Sequence, residues 1–388
     1  LVGSEMCIRD RIYGSEYKEM AKQLLEAADL AGRIPDAGSR IGLKPNLVSP
    51  SEASWGATTH PEIAAGTIEY LKEHGFENLV ILEGSWVGDK TADAFEVCGY
   101  DRLVREYGVE FIDTQKDSFH TKDCAGMELE ICDSVEHLDF LINLPVLKGH
   151  CQTKITCALK NMKGLIPNRE KRHFHGMGLH RPIAHLNVGI RQDFILVDNI
   201  CGDLDFEDGG NPVVMNRLIA AVDPVLCDAY VCRMLNYETE EVPYLRMAEE
   251  LGVGNADLSR LEIRALNEPE QETVVPGERK IVELQDAVEE VESCSACYGY
   301  LIPALDRLKQ EGLLEQLDTR IAIGQGYQQK TGHLGIGRCT SCFEHSLKGC
   351  PPTEEQMYEF LKDYILRSGS EAQQFRRGND DREPGMVT

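Results

Sequence analysis

Apolar and polar positions alternate between two periods along this chain. Short runs of aliphatic and aromatic residues at 41–44, 79–83 and 110–113 read as strands, and amphipathic stretches at 61–74 and 92–107 separate them at helical spacing. A further buried strand is predicted at 140–146, followed by a helix from about 153 to 163 that Gly164 closes, and by strands at 194–197 and 218–222. Asp223 can cap the next helix, with Pro224 in its first position. Strands and helices in this order predict an α/β fold, a mainly parallel sheet covered by helices.

From residue 281 the composition shifts toward Cys, Gly and Tyr, with a helix predicted at 302–311, a strand at 320–323 and an amphipathic helix at 353–366. The expected organisation is an α/β domain at 12–287 and a smaller Cys-rich α/β module at 288–366. Residues 367–388 are polar without apolar periodicity and are expected to be disordered. Residues 1–11 read as translated adapter sequence and are set aside. A chain of 388 residues with 42% hydrophobic content can bury the core that two such domains need.

Charge changes the picture more than composition does. A net charge of −25 repels nucleic acid and anionic lipid over most of the surface. No apolar run reaches the roughly 18 residues of a membrane span, and a cytoplasmic protein is expected. Yet between 148 and 191 there are nine Lys/Arg and five His against one acidic residue, Glu170. That basic island predicts a local site for a small anionic ligand, with a solvated basic loop as the bland alternative.

The island begins where strand 140–146 ends, in Lys148-Gly-His150. Strand ends that feed helix N-termini are where open α/β sheets bind ligands. Lys148, His150, Lys160 and His175 are the expected catalytic residues: ammonium groups orient a carboxylate or phosphate, while a histidine or a lysine with a depressed pKa moves a proton. Lys154, Asn161, Lys163 and His173 are expected to help bind the ligand. On a helix Lys154 and Lys160 would lie about 120° apart, so they need not share a face. Lys44 and Asn46 after the first strand, and His60 at a helix start, occupy comparable strand-end positions and join the binding set. An acidic stretch containing Asp198, Asp203, Asp205, Glu207 and Asp208 lacks the alternation of a calcium loop and reads as a polar turn.

Of the 14 cysteines, nine are scattered through apparent strands and helices, which suits reduced thiols rather than a disulfide framework. The other five cluster: Cys294-x2-Cys297, Cys339-x2-Cys342 and, after seven intervening residues, Cys350 before Pro351-Pro352. Paired thiols at this spacing point to metal ligation, and five thiolates include the four that a 4Fe–4S cluster needs; zinc, and a thiol–disulfide pair or inert structural thiols, are the alternatives.

Lys44-Pro-Asn46, Thr59-His-Pro61, Asn143-Leu-Pro-Val-Leu-Lys-Gly-His150, Ala158-Leu-Lys-Asn-Met-Lys-Gly164 and Asp223-Pro-Val-Leu-Cys-Asp228 together resemble the domain of unknown function 362 family over about residues 38–235. The resemblance implies association with iron–sulfur clusters, although many members carry a compact ferredoxin cysteine run that is split into distant pairs here. A fainter likeness of pattern links the island to nickel-dependent lactate racemase-like proteins. It implies an anionic substrate clamped by Lys148 and Lys160, with His150 or His175 exchanging a proton.

The expected function is therefore an iron–sulfur protein, an oxidoreductase or electron carrier with a redox protein partner and a basic anion-binding crevice. The alternatives are a non-redox racemase-like or isomerase-like enzyme on a small carboxylate or phosphorylated substrate, and a metal-delivery protein. Without a glycine-rich dinucleotide signature opening a helix, neither a nicotinamide nor a flavin is expected.

Overall fold

The computed structural model describes residues 8–269, 275 and 280–380. The chain divides into two compact units, 1–279 and 280–388. Unit 1 is built on eight strands in chain order: β1 (Ile8–Tyr13), β2 (Ile41–Pro45), β3 (Leu79–Glu83), β4 (Glu110–Asp113), β5 (Phe140–Leu144), β6 (Phe194–Asp203), β7 (Pro212–Ala221) and β8 (Arg264–Ala265). Their order in the sheet is β8-β1-β7-β6-β5-β2-β3-β4. Strands β4, β3, β2, β5 and β6 run parallel, β7 pairs antiparallel with both β6 and β1, and β8 pairs parallel with β1.

Strand alternation explains why these runs are apolar throughout. Leu79 and Ile81, Phe140 and Ile142, and Phe194 and Leu196 enter one buried cluster, whereas Val80 and Leu82, Leu141, and Ile195 and Val197 enter another. Both faces of the sheet are covered, so both parities must be apolar. On β2, Ile41 and Leu43 face the first cluster. Gly42 and Lys44 therefore share the other face, and a buried lysine is thereby built into the sheet.

Several expectations need correction. The predicted helix at 153–163 is instead a hairpin, Lys148–His150 with Lys154–Thr156, followed by the short helix Ala158–Asn161 and the turn Met162–Leu165. Lys154 adopts φ 65°, which no helix tolerates, and β-branched Ile155 and Thr156 suit the return strand. The single helix predicted at 92–107 breaks at Gly99, φ 79°, into Thr91–Val97 and Tyr100–Tyr107. Two helices, Asn168–Gly176 and His180–Gly189, and a hairpin, Phe119–Asp123 with Glu128–Cys132, carry weak periodicity and were not foreseen. Residues 8–11, set aside as extraneous, form the first part of β1. The helix Glu354–Asp380 runs through most of the stretch expected to be disordered, of which 381–388 lie outside the described residues.

Unit 2 carries four parallel strands, Val288–Glu290, Ile321–Ile323, Leu334–Ile336 and His345–Leu347, in that order across the sheet. The helices Ser295–Gln310 and Glu354–Asp380 pack with it, contributing Leu301, Leu305, Met357 and Leu361 to the buried set.

Candidate functional site

Polar residues gather at the C-terminal ends of the parallel strands of unit 1. Lys44 on β2 is in register with Asn143 on β5. The fully buried Lys44 ammonium donates to Glu83 Oε2 and to the Pro45 carbonyl, each at 2.6 Å. Glu83 also accepts from the backbone of Gly84 and Leu47. Burial lowers the Lys44 pKa, and the Glu83 carboxylate opposes that. Asn161 Nδ2 donates to Asn143 Oδ1 at 2.7 Å and to the Lys44 carbonyl at 3.2 Å. Asn46 shapes the adjoining turn, its side chain accepting from Val48 N and its N–H donating to Thr59.

Gly164 presses on this pair. A Cβ there would lie 2.1 Å from Glu83 Oε1 and 2.6 Å from Lys44 Nζ. We expect Gly164→Ala to force the buried ion pair apart and to cost about 3 kcal/mol, at the upper end for an overpacked site. A shift in the denaturant midpoint of unit 1 measures it; an unchanged midpoint would mean that the loop yields.

The helix Ala158–Asn161 carries Asn161 to the Lys44 carbonyl and Lys160 to Glu207. Asp228 fixes it, its carboxylate accepting from Ala158 N at 2.7 Å and Leu159 N at 3.1 Å, while Asp223 caps its own helix through Val225 N and Leu226 N. Burial nevertheless raises Asp228 to about 7. Lys160 Nζ reaches Glu207 Oε1 at 2.8 Å, and Lys148 Nζ donates to the carbonyls of Ala57 and Glu207 at 2.8 and 2.6 Å. His150 Nε2 lies 2.8 Å from Glu207 Oε2, close enough for ionic contact but too bent for a full hydrogen bond. Glu207, read above as part of a polar turn, is thus the hub of the basic island. His175 is buried within the electrostatic reach of Lys163, Glu207, His150 and Lys160.

The tautomer of His150 follows from its neighbours. Nδ1 accepts from the backbone N–H groups of Gln152 and Thr153 at 3.0 and 3.1 Å, so the ring proton sits on Nε2 and faces Glu207. His150, Cys151 and Glu207 bring their ligand atoms within 4.8 Å of one another. With Nδ1 committed as an acceptor, Nε2 is the ring atom that faces Glu207. Burial drops His150 to about 4 and holds His175 well below its usual range, so both rings are neutral at pH 7. Burial also lowers Lys148 to about 8, which makes it the member of the set best matched to proton exchange near neutrality. Burial pushes Glu207 up, but His150, Lys160 and Lys148 outweigh it and hold the carboxyl well below the usual range.

His60 belongs to a separate constellation. Asp198 Oδ2 takes both its backbone N–H and its Nδ1 at 2.8 Å, and Cys201 Sγ stands 4.0 Å from Nε2. Burial lowers the His60 pKa, yet the Asp198 carboxylate prevails and raises it from 6.5 to about 10. The resulting stabilisation is full below about pH 6.5 and is lost as pH rises through about 10. Asp198→Asn should therefore destabilise unit 1 by about 3 kcal/mol near neutrality, as breaking a buried pair does. The deficit should shrink toward pH 10, which paired melts of variant and parent across that range would reveal.

Two further expected binding residues, Lys154 and His173, join none of these clusters. Lys154 reaches out to Glu241 at 2.6 Å and lies over the Tyr237 ring, and His173 is exposed beside Glu170. A polar cleft of about 870 Å³, lined by Arg33, Asp139, Arg191, Asp193 and Asp223 among others, opens at the N-terminal ends of β5 and β6, and Gln192 in its lining accepts from Asn143 Nδ2 at 2.7 Å.

In unit 2 Cys297 lies within electrostatic reach of three of the other four expected metal-ligating cysteines, Cys294, Cys339 and Cys350. Cys294 precedes the helix Ser295–Gln310 and Cys297 lies in its first turn; Cys339 and Cys350 follow the strands Leu334–Ile336 and His345–Leu347. Gly337, at φ 96°, fits against them: a Cβ there would meet Cys297 Sγ at 3.4 Å and the Gly349 carbonyl at 3.9 Å. Desolvation, followed by the charges of Cys294, Cys339 and Cys350, pushes the Cys297 thiol up to about 12. Cys342 is exposed.

Among the described residues no helix is long and apolar enough to cross a membrane. A thylakoid-associated protein of Synechocystis sp. is 24% identical over 244 residues, 60% of this chain and 74% of that protein. The lactate racemase apoprotein from Thermoanaerobacterium thermosaccharolyticum superposes with a TM-score of 0.39 at 14% identity, covering 60% of this chain and 57% of the other. A structural-genomics protein from Thermotoga maritima gives 0.36 at 14% identity, covering 66% and 62%. This chain spans less than two thirds of either solved structure. Residues 41–233, just under half of the chain, match the model of the family described as a domain of unknown function (DUF362).

Proposed function

We propose that this protein is an iron–sulfur protein in which Cys294, Cys297, Cys339 and Cys350 bind a 4Fe–4S cluster and unit 1 binds a small anion beside Lys148 and Lys160. The observation that carries the reading is the company of Cys297, whose thiol feels Cys294, Cys339 and Cys350 at once. Four thiols that repel one another as thiolates are a costly arrangement until cationic iron neutralises them. Four cysteine thiolates, each binding a different iron, are the ligand set of such a cluster.

A cluster held there supplies one-electron transfer, and a redox protein is the partner this reading implies. In unit 1 the residues do electrostatic work. Lys148 and Lys160, with Lys163 near, face Glu207, Asp203 and Asp208, and their ammonium groups are the donors that a carboxylate or phosphate would engage. Lys148, poised at about 8, is the group that would lend or take a proton there. A reducing compartment such as the cytoplasm fits the thiols, since among the described residues no cysteine pair is joined as a disulfide.

The test is reduction of protein purified without oxygen. A broad visible band that bleaches on adding dithionite and returns on reoxidation, with a paramagnetic signal in the reduced state, is the expected result. A colourless protein whose spectrum ignores reductant overturns the electron-transfer reading.

A further inference from the structure

At the end of the unit 2 sheet opposite the cysteines, we infer a second metal site: His333, Glu344 and His345 form a surface site for one divalent transition-metal ion bound through nitrogen and oxygen. Two neighbouring parallel strands, Leu334–Ile336 and His345–Leu347, start side by side, with Leu334 in register with His345. The lead-in segments are locked by backbone hydrogen bonds, Glu344 N to the Gly332 carbonyl at 2.9 Å and His345 N to the His333 carbonyl at 2.8 Å. Gly332 is needed for that approach, because a Cβ there would meet the Phe343 ring at 2.2 Å. The frame is therefore stiff, and the ligand atoms of the three side chains all lie within 4.8 Å of one another.

Proton counting identifies the ligand atom of His333. The Tyr364 hydroxyl donates its one proton to Asp318 Oδ1 at 2.8 Å, so at 2.9 Å from the same hydroxyl His333 Nε2 must be the donor. A chain from imidazole N–H through phenol to carboxylate is the outer support that metal-bound histidines usually have, and it leaves Nδ1 as the atom that faces Glu344. Nδ1 and Glu344 Oε2 are 2.9 Å apart. Metal bonds of about 2.0–2.1 Å meeting at a right angle span roughly 2.9 Å, so an ion can take the place of the proton between these atoms. His345 supplies the third ligand, its ring 5.1 Å from that of His333 and its Nε2 3.9 Å from Glu344 Oε1. Two histidines and one carboxylate on an exposed edge leave coordination positions open to water or a small ligand. Neutral imidazoles and a carboxylate select ions of the nickel, cobalt and zinc kind over calcium or magnesium.

Cobalt(II) titration of the whole chain, chelator-washed and with its cysteine site left as isolated, tests the assignment. One equivalent should bind with weak ligand-field bands typical of nitrogen and oxygen donors and without the intense thiolate-to-cobalt absorption that the cysteines would produce. His345→Ala and His333→Gln, both at exposed positions, should lose that equivalent, and Tyr364→Phe should keep it with affinity at least tenfold weaker, the usual loss when outer support is removed. Three outcomes overturn the assignment: no cobalt bound in the parent, binding only with thiolate absorption, or parental affinity in both histidine variants.

Discussion

Cys297→Ser is expected to strip the protein of iron and sulfide and of its visible absorption, whereas Cys342→Ser should leave all three at parental levels. The contrast follows from where the five cysteines stand. Cys297 is half-buried at the first turn of Ser295–Gln310, and the charges that act on it come from Cys294, Cys339 and Cys350. Serine is close in size but its hydroxyl stays protonated at neutral pH, so the substitution removes a soft anionic ligand without opening a cavity. Cys342 is exposed and lies outside that group, so its loss removes nothing that holds a cluster. Iron and sulfide assays with absorption spectra on the two purified variants decide it. Equal loss in both would mean that the second cysteine pair acts as a unit, and equal retention would mean that the four thiols named here are not the ligands.

Glu207→Gln is expected to be the most destabilising single change in unit 1. The side chain is 4% exposed and its two oxygens face Lys160 and His150, while its carbonyl receives Lys148. Replacing the carboxylate by an amide keeps the volume but leaves a buried ammonium without its counter-charge, a loss of about 3–5 kcal/mol. At about 2–4 °C per kcal/mol for a domain of this size, the unit 1 melting transition should fall by roughly 10 °C. Calorimetry measures this directly. Phosphate or a small carboxylate should raise the variant's transition more than the parent's, because the external anion would occupy the charge vacancy that Glu207 fills. A variant that melts with the parent and ignores added anion would remove Glu207 as the hub of the island.

The strands that carry the site were legible because buried parallel strands leave dense apolar runs, and 41–44, 79–83 and 140–146 are such runs. The basic island was legible because cations without acids are rare in an acidic chain. What composition did not reveal was the partner. Glu207 lies 47 residues from Lys160 and sits in a stretch whose acids looked like ordinary turn residues. Asp198 lies 138 residues from His60. Contacts of that range follow from topology and leave no local period to read. The one available signal was complementarity, an acid-rich stretch in the same chain as a cation-rich one. The return strand of the hairpin, 154–156, reads as the start of a helix because Lys154 takes a left-handed conformation that non-glycine residues rarely adopt. Cysteine spacing alone offered five ligands, and only the parallel order of the short strands brings Cys339 and Cys350 toward Cys297.

The central claim is the cluster, and its most direct test is iron and acid-labile sulfide content in protein purified without oxygen. The account predicts about four of each per chain, as a single cubane requires. Zinc without sulfide, or no metal at all, would contradict it.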